Sequence, residues 1–108
     1  MYNSENIFAK ILRKEIPCKI IYEDETILAF HDINPRAKIH ALVIPKTEAV
    51  SFSDFITNNG NEIIGDFFKK VNYVACNVLN LADFRIQINN GANAGQEVFH
   101  FHVHILGN

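Results

Sequence analysis

Hydrophobic and polar positions change period several times along this chain, and each change marks a predicted element. Ile7, Phe8, Ile11 and Leu12 recur at helical spacing, with Lys10, Arg13 and Lys14 on the outer face. They predict a short amphipathic helix, capped by Ser4 and blocked by Pro17. Residues 19–23 and 26–31 form β-branched and aromatic runs around Asp24-Glu25, the pattern of a hairpin over a tight acidic turn. Asp32-Ile33-Asn34-Pro35 breaks the second strand, and a third is expected from His40 to Ile44, ended by Pro45. Residues 46–60 are polar and interrupted, which predicts a loop with one helical turn around Ser53. From 61 to 80, Ile63, Ile64, Phe67, Phe68, Val71, Val74, Ala75, Val78 and Leu79 keep helical spacing over a face broader than one sheet easily covers. Two further strands are expected at 84–89 and 98–106. The fold class that follows is α+β: an antiparallel sheet of about five strands, an N-terminal helix and a longer central helix, with helices largely on one face.

The strongest chemical signal lies in Phe99-His100-Phe101-His102-Val103-His104-Ile105-Leu106. Strict alternation puts Phe99, Phe101, Val103 and Ile105 on one face and three imidazoles on the other. A single histidine on a strand is usually a satisfied or solvated side chain, but three on one face are harder to dismiss. A metal site is one alternative, since histidine is the commonest metal ligand. Same-face neighbours stand about 6.7 Å apart, so His100 and His104 are about 13 Å apart along a strand. With bonds of about 2 Å, two adjacent histidines can share an ion, but three can hardly converge on one. A catalytic surface fits the pattern better. Just upstream, Asn89-Asn90-Gly91-Ala92-Asn93-Ala94-Gly95-Gln96 is small, polar and glycine-bearing, able to turn sharply and offer N–H groups to an anion. It lacks the Gly-x-x-x-x-Gly-Lys pattern and leads into a strand, which excludes a P-loop or dinucleotide fingerprint. An anion nest feeding a row of histidines suggests phosphate chemistry with a nitrogen nucleophile.

The run His100 to Leu106 resembles the His-x-His-x-His motif of the histidine triad (HIT) family, preceded as in that family by Ala94-Gly95-Gln96. A second block, Phe30-His31-Asp32-Ile33-Asn34-Pro35, followed by His40 and Leu42-Val43-Ile44-Pro45, is similar to the family's nucleotide-binding segment. The resemblance runs from about Ile7 to Gly107 and is closest to the nucleotide-binding (Hint) branch, whose members hydrolyse purine nucleoside phosphoramidates and related adenylyl conjugates. It implies a hydrolase that converts AMP-X to AMP through a covalent nucleotidyl-histidine. In that scheme His102 is the nucleophile. His104, Asn89 and the N–H groups around Gly95 and Gln96 stabilise the phosphate, while His40 and His100 form an outer hydrogen-bonded pair that orients His102. Asp32, which local sequence reads equally well as a turn residue, becomes the ribose ligand. Phe8, Ile11, Ile16, Phe30, Ile33 and Leu42 wall the purine, and His31 supports their loop. The family's central helix also joins a two-fold dimer, so a homodimer is expected. Many relatives carry a pair of cysteines where Asn6 and Ala9 stand and use them for structural zinc. Neither residue can supply a thiolate, and no metal or cofactor is expected. Glu97 departs from close relatives that carry serine; strand alternation sets it opposite the histidines unless the loop twists before Val98.

Composition narrows the setting. With 108 residues, 48% hydrophobic content and nine phenylalanines, one domain spanning 1–108 is expected. A net charge of −2 leaves no broad basic field, so a small nucleotide suits the chain better than a nucleic-acid polymer. Cys18 and Cys76 are distant and unpatterned, and there is no long apolar run or basic leader; the expectation is a cytoplasmic protein with no membrane partner. Two readings from other classes stay open: a nucleotide-sensing or scaffold protein without turnover, and a histidine metal-binding protein.

Overall fold

A computed structural model describes residues 1–108. Strands β1 (Ile20–Glu23), β2 (Ile27–His31), β3 (Ile39–Pro45), β4 (Phe84–Gln87) and β5 (Val103–Gly107) form one antiparallel sheet in the order β1-β2-β3-β5-β4. Three α-helices accompany it: α1 (Ile7–Leu12), α2 (Phe52–Thr57) and α3 (Asn61–Tyr73). The last widens into a π-helical segment, Val74–Val78, where the Leu79 amide donates to the Val74 carbonyl at 2.9 Å. No helix is long and apolar enough to cross a membrane.

Because side chains alternate along a strand, the sheet separates two cores. Ile27, Ala29, Ala41, Val43, Val103 and Ile105 point to one side and bury against Phe55 of α2, Phe67 and Val71 of α3, and Phe101. Leu28, Phe30, Leu42 and Ile44 point to the other and pack against Phe8 and Ile11 of α1. His40 and His104 share this second side, where Leu42 pairs across the ladder with His104 and His40 with Leu106. Helix α1 thus covers the face that carries imidazoles, while the larger helices supply bulk on the opposite face.

The β1–β2 turn is built on Asp24. Its Oδ1 accepts from the amides of Thr26 and Ile27 at 2.8 and 3.0 Å, its Oδ2 accepts from the Tyr22 hydroxyl at 3.0 Å, and Lys70 of α3 lies 3.1 Å away. Burial alone would raise the Asp24 pKa, but these donors hold it well below the usual carboxylate range. An acidic turn thereby ties the sheet edge to the central helix.

Several expected boundaries move, each for a local reason. Asn6, not Ser4, caps α1: its Oδ1 accepts the Ala9 amide at 2.9 Å. The two positions where the resemblance implies cysteines in many relatives are joined here by a cap hydrogen bond. Helix α2 is longer than the single turn expected around Ser53, because Ser51 caps it and Phe55 anchors it in the core. The expected 61–80 helix keeps α geometry only to Tyr73, and the fourth strand ends at Gln87 rather than Asn89. The largest correction concerns β5, which begins at Val103 and not at Val98. Residues 99–102 pair with a loop instead of a strand, the Phe101 amide donating to the Ala49 carbonyl at 2.8 Å. Phe99 is consequently exposed and does not join the apolar face.

Phe101 is 1% exposed and stacks on Phe55 at 4.9 Å between centroids, with Phe67 at 5.3 Å. Phe101→Ala is expected to destabilise the fold by about 3–5 kcal/mol, since it removes a whole ring from a packed cluster. Urea unfolding followed by circular dichroism measures this, and a loss under about 1 kcal/mol would show that the cluster does not hold the sheet on its helices.

Candidate active site

Between α1 and the sheet lies a cavity of about 310 Å³. Phe8, Ile11, Ile16, Phe30 and Leu42 form its apolar wall, and Ile33, which also lines it, is 85% exposed. The polar lining includes His31, Asp32, Asn34, Glu97, His102 and His104. Asp32 serves two ends at once. Its Oδ1 accepts the Asn34 amide at 2.8 Å, the turn its sequence suggests, while Oδ2 stays on the site side, 3.3 Å from His40 Nε2. Phe8 meets the His102 ring edge to face at 5.0 Å, so the same side chain packs the helix and orients the imidazole.

Main-chain groups fix the proton positions of the rings. An amide N–H only donates and a carbonyl only accepts. The Arg36 amide donates to His40 Nδ1 at 3.1 Å, which puts the His40 proton on Nε2. That Nε2–H faces His104 Nδ1 at 2.9 Å, so His104 carries its proton on Nε2. The His102 Nδ1–H donates to the His100 carbonyl at 2.8 Å, leaving a lone pair on His102 Nε2. His100 Nε2–H donates to the Pro45 carbonyl at 2.8 Å, and its Nδ1 accepts from the Tyr2 hydroxyl at 2.6 Å. No buried side-chain nitrogen or oxygen lacks a partner.

Charge follows the same logic. Burial pushes the His102 pKa down, against the opposing pull of the His100 carbonyl and Asp32. His40 is lowered by burial and by Arg36, against Asp32. His100 falls to about 4, mainly through burial, and His104 to about 4 through burial and the neighbouring His102, His40 and Arg36. The rings are neutral at neutral pH, which gives His102 a nucleophilic nitrogen and His104 a free N–H.

Ligand atoms of Asp32, His40 and His104 lie within 4.8 Å of one another, close enough to consider a cation. The donor set argues against it. A metal on His40 Nε2 would displace a proton that can only move to Nδ1, where it would face the Arg36 N–H. The trio instead shares one proton donor, the His40 Nε2–H, which bonds His104 Nδ1 at 2.9 Å with Asp32 Oδ2 3.3 Å away.

Of the residues singled out by sequence, eleven line the cavity: His102, His104, Asp32, Phe8, Ile11, Ile16, Phe30, His31, Ile33, Leu42 and Glu97. Others stand elsewhere. His40 and His100 do not form a pair; His40 bonds His104, whereas His100 turns to Pro45 and Tyr2 because residues 99–102 leave the ladder. The amides of Gly95 and Gln96 are not free donors: they are bonded to Ala92 and Gly91 carbonyls at 3.0 and 3.1 Å inside the loop, whose turns use left-handed backbone at Gly91 and Gly95. Gln96 is a buried pin, its Nε2 donating to Val50 and Val98 carbonyls and its Oε1 accepting the Gly91 amide. Asn89 reaches back toward the Gly95 carbonyl at 3.4 Å and lies outside the cavity lining. Glu97 lines the cavity despite its expected place opposite the histidines, because period 2 does not apply before the ladder begins. Sequence reasoning missed Tyr2, Arg36 and Pro45; two act through backbone atoms, which leave no mark in side-chain patterning.

Known proteins match this chain over almost its whole length. A family model described as the HIT domain matches residues 13–108. An uncharacterized HIT-like protein of Rickettsia prowazekii is 47% identical over 108 residues, spanning 99% of this chain and 90% of the relative. A histidine triad protein structure from Clostridium difficile superposes with a TM-score of 0.87 at 37% identity, covering 100% of this chain and 94% of that one. A HIT family hydrolase from Legionella pneumophila gives 0.85 at 34% identity, covering 96% and 93%.

Burial of these rings has a consequence for stability. Unfolded imidazoles titrate near 6.5, so between that pH and about 4 the unfolded chain binds protons that folded His100 and His104 refuse. Their contribution is complete above pH 6.5 and is lost as pH falls toward 4. Denaturant midpoints measured from pH 7 to 4 should decline across this window, and His100→Asn should flatten the decline; an unchanged slope in the variant would refute the assignment.

Proposed function

Since this chain belongs to the histidine triad family, whose HIT domain it carries over residues 13–108, we propose that it hydrolyses purine nucleoside phosphoramidates and related nucleotidyl conjugates, releasing AMP from AMP-X. The observation that carries this reading is the lone pair on His102 Nε2, fixed by the Nδ1–H bond to the His100 carbonyl in a ring that lines the cavity. Solved relatives described as HIT family hydrolases support hydrolysis as the reaction class.

In the proposed reaction His102 Nε2 attacks the α-phosphorus, a P–Nε2 bond forms, and the P–X bond breaks as the leaving amine takes a proton from solvent, which the later attack of water returns. Water then attacks the nucleotidyl-imidazole, the P–Nε2 bond breaks, and AMP departs with His102 restored. Charge on the phosphoryl oxygens is met by the His104 Nε2–H, held in place because His40 donates to its other nitrogen. The purine occupies the wall of Phe8, Ile11, Phe30 and Leu42, and the ribose hydroxyls meet Asp32 Oδ2. The working form is proposed to be a homodimer, consistent with exposed Ile63 and Tyr73 on α3 and Ile86 on the edge strand β4.

His102→Ala is expected to abolish AMP release, a loss of at least about a thousandfold, while AMP affinity stays within about tenfold, because base and ribose contacts remain. Kinetics on an AMP phosphoramidate, with calorimetric AMP titration alongside, test both parts. Retained turnover would rule out the covalent route; tight AMP binding without turnover in the parent would favour a sensing role.

Glu97 at the cavity supports selectivity for cationic leaving groups, since an ionised carboxylate attracts an ammonium and repels a second anion. Glu97→Ser should lower the kcat/KM ratio between an AMP–lysine conjugate and an uncharged alkylamide of AMP by about two- to fivefold, the range of an exposed charge pair. An unchanged ratio would remove Glu97 from specificity.

A further inference from the structure

We propose that Tyr2 is a positioning residue for the nucleophile, acting through His100. Tyr2 lies ahead of α1 and outside residues 13–108 matched by the family model. It is 98 positions from His100 in sequence, yet its hydroxyl stands 2.6 Å from His100 Nδ1 and its ring packs edge-on against the imidazole at 5.6 Å and 71°.

His100 is 0% exposed. Its Nε2–H is committed to the Pro45 carbonyl, so a neutral ring must present Nδ1 as an acceptor, and the Tyr2 hydroxyl is the donor it meets. A buried acceptor without a donor is costly, and the ring would relieve it by rotating, switching tautomer or admitting water. The first two break the Pro45 bond, which needs the proton on Nε2 and the ring in its present orientation. That matters because residues 99–102 lie outside the β5 ladder: no strand pairing sets the direction of the His100 carbonyl. It is held by the His100 ring on one side and by the Phe101 amide bond to Ala49 on the other. The same carbonyl is the acceptor that keeps the His102 proton on Nδ1. A slack carbonyl lets His102 populate the Nε2–H tautomer, which has no lone pair to offer phosphorus. The sequence of contacts is thus Tyr2 hydroxyl, His100 ring, His100 carbonyl, His102 nucleophile.

The kinetic consequence rests on the hydrolase reading above, whereas the tautomer consequence does not, and the test separates them. Tyr2→Phe keeps the packed ring and removes only the hydroxyl. The expected result is that nitrogen-15 NMR, which shows a single Nδ1–H tautomer for His102 in the parent, shows a mixture in Tyr2→Phe, while kcat on an AMP phosphoramidate falls about tenfold and KM stays within about twofold. Val74→Ala, which weakens the opposite core in the π-helical segment beside β1, away from Phe101 and the histidines, controls for lost stability and should leave tautomer and kcat as in the parent. A single His102 tautomer retained in Tyr2→Phe, or an unchanged kcat, overturns the proposal, as does the same kcat loss in Val74→Ala. If the parent shows no turnover at all, the hydrolase reading fails and the NMR result alone decides the part of Tyr2.

Discussion

A carbonyl oxygen cannot donate a hydrogen bond and an amide cannot accept one, and the organisation of this protein depends on that asymmetry. The Arg36 amide and the carbonyls of Pro45 and His100 decide where the protons on four imidazoles reside. Side chains in their place would rotate or titrate. Backbone groups do neither, so the arrangement is as rigid as the register of β3 against β5 that brings His40 and His104 together. A catalytic group set in this way needs no reorganisation when substrate arrives.

The two cores divide the work of holding that register. Phenylalanines 55, 67 and 101 fill one side with apolar area and no polar atom to satisfy, so stability is concentrated away from the chemistry. The other side mixes Phe8, Phe30 and Leu42 with buried imidazoles, each desolvated and each requiring a partner. Pairing of every fully buried polar atom makes such a face tolerable, and the depressed basicity of its histidines is the residual cost of burial. Function and fragility occupy the same face for one physical reason.

Much of this was legible from patterning. Period 2 and period 3.6 located the sheet and the main helix, and alternation correctly opposed Phe101, Val103 and Ile105 to His102 and His104. The motif placed the site on the face with Phe30 and Leu42. Alternation misled where the ladder had not begun: it sets Phe99 and Glu97 on the apolar face, but the segment bonds through the Phe101 amide to the Ala49 carbonyl of a loop instead of to a strand. The loop glycines announced sharp turns and delivered them, but whether their amides were free depended on Gly91 and Ala92 carbonyls that no composition reports. Partnerships of His40 and His100 were likewise unreadable, since Tyr2 and Pro45 reach His100 over 98 and 55 positions of chain. Long-range pairing between a ring and a backbone atom has no local signature.

The sheet order carries a consequence for how the molecule comes into being. Strand β5 follows the other four in the chain yet lies between β3 and β4. During translation β1, β2 and β3 can pair as a meander, while β4 has no neighbour until β5 emerges. His100, His102 and His104 emerge with that segment. The nascent chain therefore passes through a three-stranded stage with an open β3 edge and none of the three clustered histidines, and a chain ended before residue 99 lacks both the central strand and the candidate site.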